Sequence, residues 1–489
     1  MEQRHRPLMF VGTGSDVGKS VVAAGFCRLL KQDGFAPAPF KAQNMSLNSA
    51  ATPDGLEIGR AQAVQAEACG IAPRAEMNPL LLKPSGHNVS QVVLLGKPVG
   101  NMTAREYFDG SDSSRERLFG EAMRALDRLR EEYDPIVIEG AGSISEVNLR
   151  DRDITNMRVA LRSGAAVILV ADIDQGGLFG SVYGTLALLP EEERQLVRGV
   201  LVNKFRGDPA LFREGRRMLE QLAGVPVVGV LPFMDDLFIE EEDSVELGAK
   251  RTKPLPGKVN VGVVRPDHLS NFTDFRLLES LEDVNLFYSD RPEDLARADL
   301  LILPGTKNTI ADLLTLRRKG LDELLRRHRE AGKPLIGICG GYQMLGEEIR
   351  DPEGIEGETP FACGLGLFPV VTTLERGKTT RLRRFTFVDG TASGAGYEIH
   401  SGVTPSDRPL CCLENGETEG CRLDDSAWGT YLHGILDNAS VVERLLAPLI
   451  PGFRVPFDFK AKKEEGFDRL AEVIRRECDL PYIYSCITR

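Results

Sequence analysis

The chain is predicted to be an α/β protein of two domains, each a doubly wound, mostly parallel sheet, and three observations lead there. Short runs rich in Val, Ile and Leu recur at strand length, and helix-length segments separate them. A charged, proline-interrupted stretch, 240-EEEDSVELGAKRTKPLPGK-258, splits these runs into two series. Apolar runs without polar alternation suit parallel strands buried on both faces. Alternation with helices places each series in one open, twisted sheet.

The first series comprises PLMFVGT at the start, then PIVIEG (135–140), AAVILVAD (165–172), VRGVLVNK (197–204) and VPVVGVLP (225–232). It defines a domain over 1–248. The second comprises KVNVGVVRP (258–266), ADLLILPG (298–305), KPLIGICGG (333–341) and WGTYLHG (428–434), a domain over 258–447. Residues 448–489, rich in Arg, Lys and Glu, read as a helical tail whose attachment the sequence leaves open.

Composition narrows the class. Of 489 residues, 42% are apolar and 27% charged, ordinary for a globular protein. A net charge of −12 argues against nucleic acid, whose phosphates select basic surfaces. No apolar run approaches the ~18 residues of a membrane span, and no secretory h-region follows the N-terminus. Nine cysteines without paired spacing fit a reducing compartment. A cytoplasmic enzyme is the expected class.

Its first chemistry lies in 10-FVGTGSDVGKS-20. The usual phosphate loop is G-x-x-x-x-G-K-[ST], yet that frame puts Thr13 where the first glycine belongs; Gly12 and Gly14 flank it. The context is nevertheless right: strand, glycine-rich loop, then the helix-forming VVAAGFCRLLKQ. Loop N–H groups and the helix N-terminus both direct positive charge at an anion. Gly14, Asp16, Val17, Gly18, Lys19 and Ser20 would hold the nucleotide, with Lys19 on the outer phosphates and Ser20 on magnesium. Glu139 closes the strand in 136-IVIEGAGS-143, where a carboxylate can bind magnesium beside the phosphates. Asn203, at the end of VLVNKF, can pair with a purine edge. The segment 41-KAQNMSLNSAATPDGLEIGRAQ-62 adds Lys41, Asp54 and Glu57.

These motifs resemble the dethiobiotin-synthetase type of phosphate loop, G-T-x-x-x-V-G-K-[ST], which has this alternate spacing. Such enzymes use ATP to phosphorylate a carboxylate or carbamate. The resemblance implies that Lys41 is catalytic, that Glu57 joins Ser20 and Glu139 as a magnesium ligand with Asp54 as its rival, and that Asn203 binds the base.

In the second domain, 334-PLIGICGGYQMLG-346 places Cys339 in G-x-C-x-G between a strand and a helix. Flanking glycines permit the strained turn that projects a nucleophile, and the helix N-terminus favours the thiolate. The Gly340 N–H could hold an oxyanion, with a second donor at Gly305 in 303-LPGTKNT-309. Of six histidines, His433 in WGTYLHG ends an apolar strand and is the expected base; His400 in GYEIHSG competes. This half resembles the class I glutamine amidotransferases, which implies that Cys339 hydrolyses glutamine and Gln343 helps bind it. Their H-x-E carboxylate is replaced by Ile435, so a Cys–His dyad is expected, with no evident partner orienting His433.

Taken whole, the chain resembles the cobyric acid synthase family through KAQNMSLN (41–48), EIGRAQAVQAEA (57–68), NPLLLKP (78–84), EGAGSISEVNLRDRDITNM (139–157), DIDQGGLFGS (172–181), NKFRGD (203–208) and YLHGI (431–435). The resemblance implies ATP- and glutamine-dependent amidation of the b, d, e and g carboxylates of adenosylcobyrinic acid a,c-diamide. Asn44, Glu146, Asp151 and Asp153 would handle the substrate. Magnesium, ATP and L-glutamine are the expected cofactor and cosubstrates; a corrinoid and further copies of the chain are the expected partners. Cobyrinic acid a,c-diamide synthase and a partition-type ATPase switch are the rival readings.

Overall fold

The structure, a computed structural model, describes residues 4–86, 89–103, 112–234, 237–240, 250–357 and 359–488. Residues 241–249 of the expected boundary stretch lie outside the described residues.

The first half is built on a six-stranded parallel sheet in the order Val227–Pro232, Val197–Phe205, Ala166–Asp172, Leu8–Gly12, Ile136–Glu139, Ala38–Phe40. Side chains of Leu8–Gly12 alternate between two cores, as strand geometry requires. Met9 and Val11 pack with the helices Asp112–Glu132 and Met157–Ser163, while Leu8 and Phe10 pack with Lys19–Gln32. Helices therefore cover both faces, and the phosphate loop leaves the carboxyl end of a central strand, the usual ligand position in such sheets. A smaller four-stranded sheet, Gln43–Met45, Leu80–Gly86, Val89–Leu94 and Lys97–Thr103, lies beside it.

The second half carries a six-stranded sheet in the order Val284–Ser289, Val259–Val264, Leu300–Leu303, Leu335–Ile338, Ala427–Thr430, Cys421–Asp424, parallel except for the last strand. A mostly antiparallel sheet dominated by Val371–Phe387 and Ser393–Val403 abuts it. After Thr430 the chain crosses to that second sheet, where Leu432–His433 pairs with Ser393–Val403.

The tail returns to the first half. Helix Phe459–Glu477 buries Phe467, Leu470 and Ile474 in the core formed by Lys19–Gln32 and its strands, and Leu480–Ile487 adds Ile483 and Ile487. Gly25 is the contact point: a Cβ there would lie 2.3 Å from Ile474 Cδ1. Arg28 seals the edge with Asp468, 2.6 Å away. No helix among the described residues is long and apolar enough to cross a membrane.

Candidate functional site

The phosphate loop explains its own odd frame. Gly18 sits at φ 89°, a left-handed conformation suited to glycine, and a Cβ there would meet the Asn203 amide at 2.2 Å. Gly12 lies so close to Lys19 Nζ and the Gly14 carbonyl that a side chain would collide with both. Glycine is thus demanded at 12 and 18, and Thr13 is free to stand between. Lys19 Nζ donates to the carbonyls of Gly14 (2.9 Å) and Gly142 (3.0 Å), bridging the loop to the Glu139–Gly142 turn. Asn203 donates to the Val17 carbonyl at 2.9 Å, so its amide braces the loop.

Around Glu139 the side chains of Ser20, Lys41, Gln62 and Gln65 converge. Its Oε1 accepts from Lys41 Nζ and Ser20 Oγ, each at 2.7 Å, and its Oε2 from Gln65 at 2.6 Å. Glu139 and Lys41 are both buried. Burial opposes the carboxylate's charge, but the Lys41 charge and these hydrogen bonds outweigh it and hold Glu139 below the ordinary range. Two hard oxygen donors, Ser20 Oγ and Glu139 Oε1, thus face each other beside Lys19, a fit for magnesium, which takes few protein ligands and completes its shell with phosphate and water oxygens. Among the described residues no cluster of three or more His, Cys, Asp or Glu side chains is placed to hold a metal ion.

Glu57, expected as a metal ligand, is committed elsewhere. Its Oε1 accepts from Lys83 (2.7 Å) and Ser49 (2.8 Å), and its Oε2 from Lys378 of the second half (2.6 Å). Burial raises its carboxyl, yet the two ammonium groups prevail and hold it well below the usual range. Both carboxylate oxygens of Glu57 thus lie in a buried charge seam between the halves. The rival Asp54 is exposed and caps its own turn through Thr52.

The substrate candidates scatter by role. Glu146 and Asp153 line an open cleft of about 200 Å³ with Met45, Leu149, Arg150 and Arg152. Asp153 is largely spent on local order: Oδ1 accepts from the Thr155 and Asn156 amides, both at 2.8 Å. Asp151 is exposed, outside that lining. Asn44 is buried and donates to Gln62, which reaches Glu139 in turn.

In the second half, Cys339 adopts φ 51°, ψ −112°, a conformation rare for a non-glycine residue and tolerated where surrounding structure enforces it. The crowding around it is severe. A Cβ on Gly341 would lie 1.9 Å from the Leu303 carbonyl, and one on Gly340 would lie 2.6 Å from Thr306 Cγ2. A Cβ on Gly305 would touch the His433 ring at 3.0 Å. The two expected oxyanion glycines, the cysteine and the histidine are therefore brought together.

His433 is buried, and its Nδ1 lies 2.7 Å from Asp274 Oδ2; Asp274 Oδ1 accepts from the Gly434 amide at 2.9 Å. Tyr397 stacks on the imidazole with centroids 5.4 Å apart. Burial disfavours the imidazolium, but the Asp274 charge and hydrogen bond, aided by Cys339, raise His433 to about 10. The expected dyad is thus a triad whose carboxylate comes from a different segment. His400, the competitor, gives Nδ1 to the Gly402 carbonyl (2.8 Å) and stacks on Tyr431. Gln343 has both ends of its amide engaged, by Thr309 (2.9 Å) and Tyr431 (3.1 Å), so it supports the elbow from below.

Sequence reasoning missed Asp274, Gln65 and Asn156. The last clamps the Glu139–Gly142 turn through both its amide atoms on Ala141. Asp274 lies in 270-SNFTDF-275, where Asn271 at φ 53° opens the turn that carries it. Only the Asn before an apolar turn marks it locally.

Comparison with known proteins agrees with both halves. Residues 8–246 match the CobQ/CobB/MinD/ParA nucleotide binding domain, and residues 260–441 the CobB/CobQ-like glutamine amidotransferase domain. A protein of Parabacteroides distasonis named cobyric acid synthase is 54% identical over 100% of both chains. Proteins of the same name from Bacteroides fragilis and Phocaeicola vulgatus are 54% and 52% identical, each over 100% of this chain and 99% of theirs. The chain belongs to the cobyric acid synthase family.

Proposed function

We propose that the chain amidates the b, d, e and g carboxylates of adenosylcobyrinic acid a,c-diamide, drawing nitrogen from glutamine and driving force from ATP. The observation that carries this reading is the presence in one chain of a phosphate loop with a carboxylate–lysine cluster and a Cys–His–Asp triad, docked through a shared buried seam. An ATPase switch would have no use for the strained cysteine. The cleft beside the phosphate loop suits a corrinoid in kind: Met45 and Leu149 offer apolar surface for a macrocycle, and Arg150 and Arg152 offer cations for its carboxylates.

In this reading Lys19 cradles the outer phosphates of ATP, and Lys41 leaves Glu139 to neutralise charge on the transferring phosphoryl group. Ser20 and Glu139 would hold magnesium, which when bound offsets negative charge on the phosphates. The substrate carboxylate takes up phosphate to become an acyl phosphate. In the other half, Asp274 fixes the Nδ1 proton of His433, leaving Nε2 for the Cys339 thiol. The thiolate attacks the glutamine amide carbon, Gly340 and the Gly305 turn hold the oxyanion, and His433 protonates departing ammonia. Water then releases glutamate from the thioester. Ammonia displaces phosphate from the acyl phosphate, forming the amide.

Mass spectrometry of the corrinoid after incubation with Mg-ATP and glutamine tests this. Each amidation replaces OH by NH2 and lowers the mass by about one unit, so four steps are expected. A product unchanged in mass refutes the reading. With Cys339→Ala, ammonium salts should still support all four steps and glutamine none.

A further inference from the structure

The triad carboxylate is held from the other half of the molecule. Asp274 sits on the turn Phe272–Phe275, which opens at Asn271. Asn271 Oδ1 accepts from the Ser49 amide at 3.0 Å, and the Phe272 amide donates to Asn48 Oδ1 at 3.2 Å. Each asparagine thus bonds the backbone that follows the other, a reciprocal clamp across the seam. Both are buried, and Ser49, on the strand Ser49–Ala51 that pairs with Glu57–Gly59, donates its hydroxyl to Glu57 between Lys83 and Lys378.

On its far side the clamp reaches the nucleotide site. The Asn48 carbonyl accepts from the Arg60 amide at 3.1 Å, at the first residue of helix Arg60–Cys69. That helix carries Gln65, whose amide binds Glu139, which in turn holds Ser20 and Lys41. One short helix therefore has its first turn on the clamp and its second on the phosphate-site carboxylate. Arg60 also lies over Tyr397, 5.9 Å from the centroid of the ring stacked on His433.

We propose that Asn48 and Asn271 are positioning residues that set the Asp274–His433 pair, so that glutamine hydrolysis depends on what the nucleotide site holds. The inference rests on the proposed function above and adds a cause for coupling the two half-reactions: Lys41, Ser20 and Gln65 cannot all keep their grip on Glu139 once phosphates and metal compete for it. A shift there moves the helix whose N-terminus the clamp holds. An element whose position both sites bias can carry energetic coupling between them.

The test uses Asn271→Gly, which keeps the left-handed backbone at φ 53° and deletes only the side chain. Glutamine hydrolysis is measured in the intact enzyme, alone and with Mg-ATP plus the corrinoid diamide, beside synthesis from ammonium chloride. In the wild type, Mg-ATP and corrinoid should raise hydrolysis severalfold. In Asn271→Gly, glutamine kcat should fall about tenfold with KM within twofold, stimulation should drop below twofold, and ammonia-driven synthesis should hold. Asn271→Asp, which restores an acceptor to the Ser49 amide, should recover most of the loss. Equal loss with both nitrogen donors, retained stimulation, or no recovery in Asn271→Asp overturns the proposal. Wild-type hydrolysis indifferent to nucleotide also overturns it, while failure of ammonia-driven synthesis in the wild type defeats the proposed function and leaves the clamp's effect on hydrolysis still measurable.

Discussion

Replacing Asp274 by Asn isolates the carboxylate that sequence reasoning did not find. Asn is nearly isosteric, and its Oδ1 can still accept from the Gly434 amide, 2.9 Å away in the native structure. Its NH2, however, then faces His433 Nδ1 where a carboxylate oxygen stood at 2.7 Å. Two donors cannot face each other, so the imidazole turns to the tautomer with its proton on Nε2 and can no longer take the thiol proton. A hydrogen bond to a charged group contributes about 1.5–3 kcal/mol, and each ~1.36 kcal/mol is tenfold in rate. Glutamine-dependent kcat should fall roughly 10- to 150-fold on that arithmetic. The pH profile adds an independent signature. His433 is raised to about 10 in the native protein, above its ordinary ~6.5, so the imidazolium is kept at neutral pH and lost as pH rises through about 10. Without Asp274, burial is opposed by Cys339 alone, and the alkaline fall of glutamine turnover should move toward neutral pH. Steady-state glutaminase assays from pH 6 to 10.5 (roughly the span of these two values), with ammonia-driven synthesis as control, read both effects. Glutamine turnover within twofold of wild type and an unmoved alkaline limb would falsify the triad.

Two further substitutions probe other parts of the structure. Lys41→Met strips the ammonium from buried Glu139; breaking a buried pair this way costs about 3–5 kcal/mol, so the urea midpoint of the first half should fall and synthesis should stop with either nitrogen donor, glutamine hydrolysis by the free amidase half persisting at its unstimulated rate. Gly25→Leu drives side-chain atoms into Ile474 and Leu470; overpacking of about 1–3 kcal/mol should expose the tail to limited proteolysis before any other segment, and an unchanged digestion pattern would contradict the docking described.

Much of the parallel architecture was legible because its strands are uninterrupted apolar runs. Val284–Ser289 escaped notice: VNLFYS interleaves Asn, Tyr and Ser, and Asn285 is buried only because it bonds Asn260 and the Lys253 carbonyl. The long strand Val371–Phe387 was equally hidden, since VTTLERGKTTRLRRFTF is dense in charge and several of those charges find carboxylates across the sheet, as Arg383 does with Glu398. Local motifs singled out Cys339, Lys19 and Glu139 because each sits beside a glycine turn, whereas Lys41 was picked out through the resemblance. The turn that carries Asp274 bears only Asn271 as a local mark, and the partner of Asp274 is 159 residues away. The seam at Glu57 was hidden for a related reason. A carboxylate near a phosphate loop invites a metal, and only the fold shows that Lys378, 321 residues on, claims it.

The return of the tail has a consequence for how the protein is born. Arg28 and Asp468, which meet at the edge of the first core, are 440 residues apart in the chain. At about 5–20 residues per second on a ribosome, helix Lys19–Gln32 waits roughly 20–90 s for its cover. The amidase half, emitted in between with a hydrophobic core of its own, can finish folding first. The half that leaves the ribosome first therefore closes last, and slowing translation lengthens the time its apolar helix face stays open to chaperones or to neighbouring chains.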